Sequence, residues 1–225
     1  MIKVVRSPKP AILAKHEAQW LDKYQQAIAQ NQLHPSPANK EALNKAERKY
    51  NHKQIKTELE KMFSGKCAYC ESHIRHVAYG AIEHFNPKSK FPDLCFSWEN
   101  LLLACDQCND KGHKGDKFPD ASNGGPYVNP TKEDPDDFFE FEFDPDTGTA
   151  NVIPKNQRGL ITETDLGLNR ADLLKHRSSM VRKMVCIAIK ASLGDTDCGA
   201  EILQYCGNED EYSAFARALV KKFNL

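Results

Sequence analysis

The chain has 225 residues, 40% hydrophobic and 28% charged, a globular composition that fits one or two domains and excludes a fibrous or broadly disordered protein. Lys plus Arg and Asp plus Glu each number 31, so the net charge is zero. That excludes a protein that coats nucleic acid by bulk charge, while leaving room for local basic patches.

No apolar run approaches the roughly 20 residues of a membrane span. The basic start, with Lys3, Arg6 and Lys9, lacks the apolar core and small-residue cleavage site of a secretory signal. A cytoplasmic protein is expected. Residues 11–31 and 38–63 carry apolar residues at helical spacing, with the break His34-Pro35-Ser36-Pro37 between them. Ser64-Gly65 reads as the C-cap of the second helix. Tyr79 to Phe85 suits a short strand closed by Asn86-Pro87, and Lys111 to Pro126 reads as loop. Phe138 to Phe143 alternates aromatic and acidic residues, as a strand does, and Thr149 to Ile153 returns after the turn Asp144–Gly148. Asn169 is placed to N-cap a basic helix from Ala171 to Leu193. Two shorter helices, near 198–206 and 209–223, finish the chain.

Eight cysteines are present. Cys67/Cys70 and Cys105/Cys108 form two C-x-x-C pairs. Without a secretion signal, metal is a better reading than disulfides. Two such turns complete a tetrahedral four-cysteine zinc site, which leaves no open position and is therefore structural. Cys95, Cys186, Cys198 and Cys206 read as small buried hydrophobes.

Between and just after the pairs stand residues that a purely structural zinc ribbon does not need: Glu83-His84, Asn100, Asn109 and Lys111-Gly112. Phosphodiester hydrolysis does need them. It takes a base to activate water and an oxygen-bound divalent ion to stabilise charge. Imidazole titrates near neutrality, so His84 suits the base. Glu83 and Asn109 offer hard oxygens for Mg2+ or Mn2+. Neighbouring strand residues point to opposite faces, so a twisted strand end or a bulge is expected at Glu83-His84. Lys88, Lys90, Lys111, Lys114 and Lys117 flank these residues and suit contacts to nucleic-acid phosphates. His113 is a second candidate near the metal or a phosphate; His73 and His76 read as partly exposed.

Over residues 64–118 the set Cys67-x-x-Cys70, Glu83-His84, Asn100, Cys105-x-x-Cys108-Asn109 and Lys111-Gly112 resembles the HNH endonucleases, with their zinc-stapled ββα-metal fold. The resemblance implies His84 as general base, Asn100 as a positioning residue and Asn109, starting the helix, as a metal ligand. Glu83 stands where Asp is commoner, and Asn109 where His is. Ile2-Lys3-Val4-Val5-Arg6, Glu83-His84-Phe85-x-Pro87-Lys88-Ser89 and Leu166-Gly167-Leu168-Asn169 are similar to the HNH nuclease subunits of Septu and retron anti-phage defence systems (PtuB-like). That likeness implies an ABC-type ATPase partner (PtuA-like) and, in the retron versions, a reverse transcriptase with its RNA–DNA product.

The expected fold is α+β and mostly helical: an N-terminal helical arm over 1–63, an HNH nuclease core with the zinc site over 64–118, and a C-terminal region with a β-hairpin and helices over 119–225. The expected function is metal-dependent hydrolysis of nucleic acid, DNA foremost. The alternatives are a stand-alone restriction or repair nuclease, or a non-catalytic zinc module that binds a protein or nucleic-acid partner. Regions outside the core are expected to dock a partner through the strand Phe138–Phe143 and through Arg177, Arg182 and Lys183.

Overall fold

The fold is taken from a computed structural model and described for residues 1–74 and 80–225. His76 and Tyr79, the first residue of the expected strand, lie outside the described residues.

Pro10 precedes a long helix α1 (Ala11–Leu33), which stops before Pro35. Ser36 then caps α2 (Pro37–Glu47) by accepting from the Asn39 N–H at 3.1 Å, with Pro37 pre-set for the first turn. The single helix expected over 38–63 is in fact two. After one 3-10 turn, Asn51 leaves helical geometry and His52 opens α3 (Lys53–Met62), its Nδ1 accepting from the Gln54 N–H at 3.2 Å. Ser64 and Gly65 both adopt left-handed backbone (φ 52° and 70°), which turns the chain sharply into the first cysteine pair.

The centre is a small antiparallel hairpin, β1 (Ala81–His84) with β2 (Leu101–Ala104), in the register Ala81↔Ala104 to His84↔Leu101. Leu101, Leu102, Leu103 and Ala104 are all buried, the pattern of a strand covered on both faces. α4 (Asp106–Asn109) is a single turn opened by Cys105. Asn109 therefore closes this helix rather than starting it.

The C-terminal part has a second hairpin, β3 (Phe139–Asp144) and β4 (Thr149–Pro154), paired from Phe139↔Pro154 to Asp144↔Thr149. Phe139 and Phe141 point inward while Glu140 and Glu142 face solvent. Four helices follow: α5 (Gln157–Leu166), α6 (Ala171–Ser192), α7 (Thr196–Tyr205) and α8 (Ser213–Phe223). α6 packs on the hairpin and on α7 and α8. α5 has no counterpart in the expected elements. Its signals are terminal: the Asn156 side chain caps the Gly159 N–H at 2.9 Å, and Gly167 ends it at φ 57°.

Asn169 does not cap α6. Arg170 occupies that position, and the Asn169 amide instead pairs with both backbone groups of Val152 on β4. The chain is thus α+β and mostly helical, and among the described residues the buried hydrophobic side chains from Met1 to Leu219 form one cluster. Of the four cysteines read as buried, only Cys95 is; Cys186 is exposed, and Cys198 and Cys206 are partly so. No helix among the described residues is long and apolar enough to cross a membrane.

Candidate active site

The two C-x-x-C turns are brought together by the central hairpin. The Ala68 N–H donates to the carbonyl of Leu103 on β2 at 2.8 Å, which fixes the first turn beside the second. The sulfurs of Cys67, Cys70, Cys105 and Cys108 all lie within 4.8 Å of one another, with Cys70 and Cys105 3.9 Å apart. Zinc bonds of about 2.3 Å in a tetrahedron set sulfurs about 3.8 Å apart, so these thiolates fit that ion. The second turn also carries its own N–H···S contact, Cys108 to Cys105 at 3.5 Å. The Arg170 guanidinium approaches Cys108 Sγ at 3.7 Å, a positive group against a sulfur that is anionic when it binds metal.

His84 ends β1 and is 6% exposed. Its Nε2 lies 2.9 Å from the Cys95 carbonyl, so Nε2 carries the proton and the lone pair is on Nδ1. Burial pushes the imidazole down to about 4, where the Lys88 and Lys114 charges also act to lower it. The ring is therefore neutral at neutral pH, with its Nδ1 lone pair free to accept a proton. The Tyr50 ring, from the turn between α2 and α3, stands edge-on to it at 4.6 Å between centroids. Lys88 lies 5.7 Å over that same ring and 3.5 Å from Glu47.

Asn100 fastens the loop between the two strands. Its Oδ1 accepts from the Asn86 N–H at 2.8 Å, and its Nδ2 donates to the carbonyls of Asn86 and Leu94 at 3.0 and 3.1 Å. Leu94 precedes Cys95, so the amide holds the segment whose carbonyl orients His84.

Glu83 is 4% exposed and pairs in regular register with Leu102, with no bulge between it and His84. Of the twisted strand end or bulge expected here, the bulge is absent, and the two side chains meet different partners: Glu83 faces Lys114, and His84, the last residue of β1, faces Cys95 and Tyr50. Burial pushes the Glu83 carboxyl up, against the opposing pull of Lys114. Its Oε1 is buried without an aligned hydrogen-bond donor, although the Lys114 ammonium is 2.5 Å away. A buried carboxylate that already holds an ammonium is a place for a cation. Asn109 is half-buried at the end of α4, which packs on β1, and its side-chain amide makes no hydrogen bond with the described residues. A carboxylate plus an amide oxygen suits Mg2+ or Mn2+, which take the rest of their shell from water and phosphate.

Lys90 and Lys111 are exposed and Lys88 is partly so. Lys114 is not a surface cation as expected. It is fully buried, because Glu83 and the His84 carbonyl supply the counter-charge and acceptor that its ammonium needs inside. His113 is half-buried against Gly167, where any Cβ would come within 2.7 Å of its ring. Sequence reasoning missed Tyr50 and Arg170. Neither lies in a motif, and each reaches the site only through tertiary packing.

Residues 67–115 match the HNH endonuclease family. Over 159 residues the chain is 32% identical to the Septu protein PtuB of Bacillus mycoides, a match covering 59% of this chain and 52% of that one. A Septu protein PtuB of Bacillus thuringiensis is 32% identical over 129 residues, covering 56% of this chain and 46% of that protein. The chain thus spans about half the length of the relatives it matches. Residues 67–115 carry an HNH endonuclease domain, and the four-cysteine cluster within it is arranged as a metal ion requires.

Proposed function

We propose that this chain is a metal-dependent endonuclease that hydrolyses phosphodiester bonds in nucleic acid, DNA first, as the effector subunit of an anti-phage complex with an ABC-type ATPase. One observation carries the reading: His84 is held neutral by burial with Nε2 committed to the Cys95 carbonyl, so Nδ1 is the free base. Nδ1 takes the proton of the attacking water. Asn100 keeps the Cys95 segment in place and acts as a positioning residue. Glu83 and Asn109 would hold a divalent ion, Mg2+ or Mn2+, which would supply stabilisation of the charge that develops on the phosphate and leaving group. Lys88, Lys90 and Lys111 hold the backbone without reading sequence.

The likeness to two Septu proteins supports the defence setting. The ATPase partner rests on the same likeness. Exposed Arg182 and Lys183 on α6, with Glu140 and Glu142 on β3, offer it a charged docking face. Incubating supercoiled plasmid with the purified chain, alone and with the co-expressed ATPase, tests the proposal. Nicked or linear product with Mg2+ or Mn2+ and none in EDTA is expected. Intact plasmid under every condition would favour a non-catalytic zinc module.

A further inference from the structure

Glu83 and Lys114 form a buried ion pair in the centre of the nuclease domain. The Lys114 side chain is fully buried, with Nζ 2.5 Å from Glu83 Oε1 and a hydrogen bond of 2.9 Å to the His84 carbonyl. The local backbone is built to deliver it. The Lys114 N–H reaches back to the Cys108 carbonyl at 3.3 Å, and the Lys117 N–H closes on the Lys114 carbonyl at 2.8 Å. Gly115 then turns at φ 43°, where a Cβ would lie 3.0 Å from the Lys111 backbone. The loop carrying Lys114 runs straight on from the second zinc turn, so its ammonium is placed by the metal staple rather than by chance at the surface. Its hydrogen bond goes to the carbonyl of His84, and Glu83 Oε1 takes the same ammonium as its ion-pair partner. The carboxylate is therefore neutralised by one buried cation.

We propose that Lys114 is the built-in counter-cation of the catalytic centre: its ammonium holds Glu83 while the divalent ion is absent and yields the carboxylate when the ion binds. The inference rests on the assignment of Glu83 as a metal ligand made above. Two cations cannot both take full possession of one buried oxygen, so an ion that takes Oε1 must displace the ammonium. Lys114 keeps its bond to the His84 carbonyl and so has a place to stay. Its hold on Glu83 lowers the apparent affinity for the divalent ion by the fraction of molecules in which the pair is closed. Loading then becomes conditional, with the phosphate oxygens of a bound nucleic acid supplying the remaining drive.

The test is calorimetric titration of the zinc-loaded full chain with Mn2+, together with thermal melting in chelator-free buffer. Lys114→Met keeps the aliphatic stem and removes the charge. It is expected to bind Mn2+ about tenfold more tightly than the parent chain, to melt lower without Mn2+, and to recover on adding it. Lys114→Gln keeps a donor for Glu83 without the charge; it preserves the fold and is expected to shift Mn2+ affinity the same way. Equal or weaker Mn2+ binding by both variants would overturn the proposal. Glu83→Gln separates the two levels. If Glu83→Gln loses Mn2+ binding while the Lys114 variants leave it unchanged, only the counter-cation role fails. If Glu83→Gln binds Mn2+ as the parent does, the assignment of Glu83 fails and the counter-cation role falls with it.

Discussion

The Nε2 of His84 and the carbonyl of Cys95 are 2.9 Å apart, and this hydrogen bond leaves Nδ1 as the basic nitrogen of the ring. It is kept in place by Asn100, whose amide holds the neighbouring Leu94 carbonyl and both backbone groups of Asn86. Asn100→Asp keeps the acceptor for the Asn86 N–H but sets a carboxylate against two carbonyls. A stability loss of about 2–3 kcal/mol is expected from groups left buried and unsatisfied. Cleavage should fall further than the melting temperature alone explains. Urea unfolding and plasmid assays on the same preparation measure both.

Zinc is expected at about one ion per chain, from the four convergent sulfurs. In metal-stapled modules the binding free energy is part of the folding free energy. Cys67→Ser or Cys105→Ser should therefore abolish soluble, cooperatively folding protein. Elemental analysis and circular dichroism check this, and a zinc-free preparation that still melts sharply would contradict it.

Acid sensitivity has a located contributor away from the site. Burial pushes the Glu133 carboxyl up, but the Arg158 guanidinium, at 2.6 and 2.9 Å, and the Asn129 N–H outweigh it and hold the group below its ordinary value of 4.5. A depressed carboxylate stabilises the fold fully above its unfolded value and loses that contribution as the pH falls through the folded one. Glu133→Gln should cost about 1 kcal/mol at neutral pH, discounted for the partial exposure of the pair. That deficit should close below about pH 4.5, a trend measurable by denaturation across pH.

Arginines on α6 should separate into two kinds. Arg177 is buried and donates to the carbonyls of Ala150 and Leu168 and to Asn169 Oδ1 at 2.7–2.8 Å. It is therefore not a docking residue, and Arg177→Glu should unfold the C-terminal part. Arg182 and Lys183 are exposed. Arg182→Glu with Lys183→Glu should leave the melt within about 0.5 kcal/mol of the parent and weaken co-elution with the proposed ATPase partner on size-exclusion chromatography.

The convergence of the four cysteines and the nuclease domain over residues 67–115 were legible because short-range chemistry demands those residue types at those separations. The hairpins were legible from alternation and turn residues such as Asp144 and Gly148. Long-range packing hid the rest. Nothing near Tyr50 announces that it will stand on His84, and nothing near Arg170 announces that it will reach Cys108. Lys114 sits in a charged, glycine-rich loop that reads as solvated, and only the placement of Glu83 explains its burial. Asn169 reads as a cap because Asn is a preferred N-cap residue and lies close to the start of the helix; Arg170 takes that position, and β4 competes for the Asn169 amide and wins. α5 was missed because Gly159 and mixed polarity weaken its periodicity, while its end signals at Asn156 and Gly167 are intact.

The central claim is that His84 is the general base. It is tested most directly by comparing plasmid cleavage by the parent chain and by His84→Ala under matched Mg2+ or Mn2+, with zinc content and thermal melting measured on the same samples. Losing a general base costs about 100–10,000-fold in rate, so cleavage should fall by that factor while one zinc per chain and a cooperative melt are retained. Near-parental cleavage by a zinc-loaded, folded His84→Ala protein would contradict the account and move the search for the base to His113.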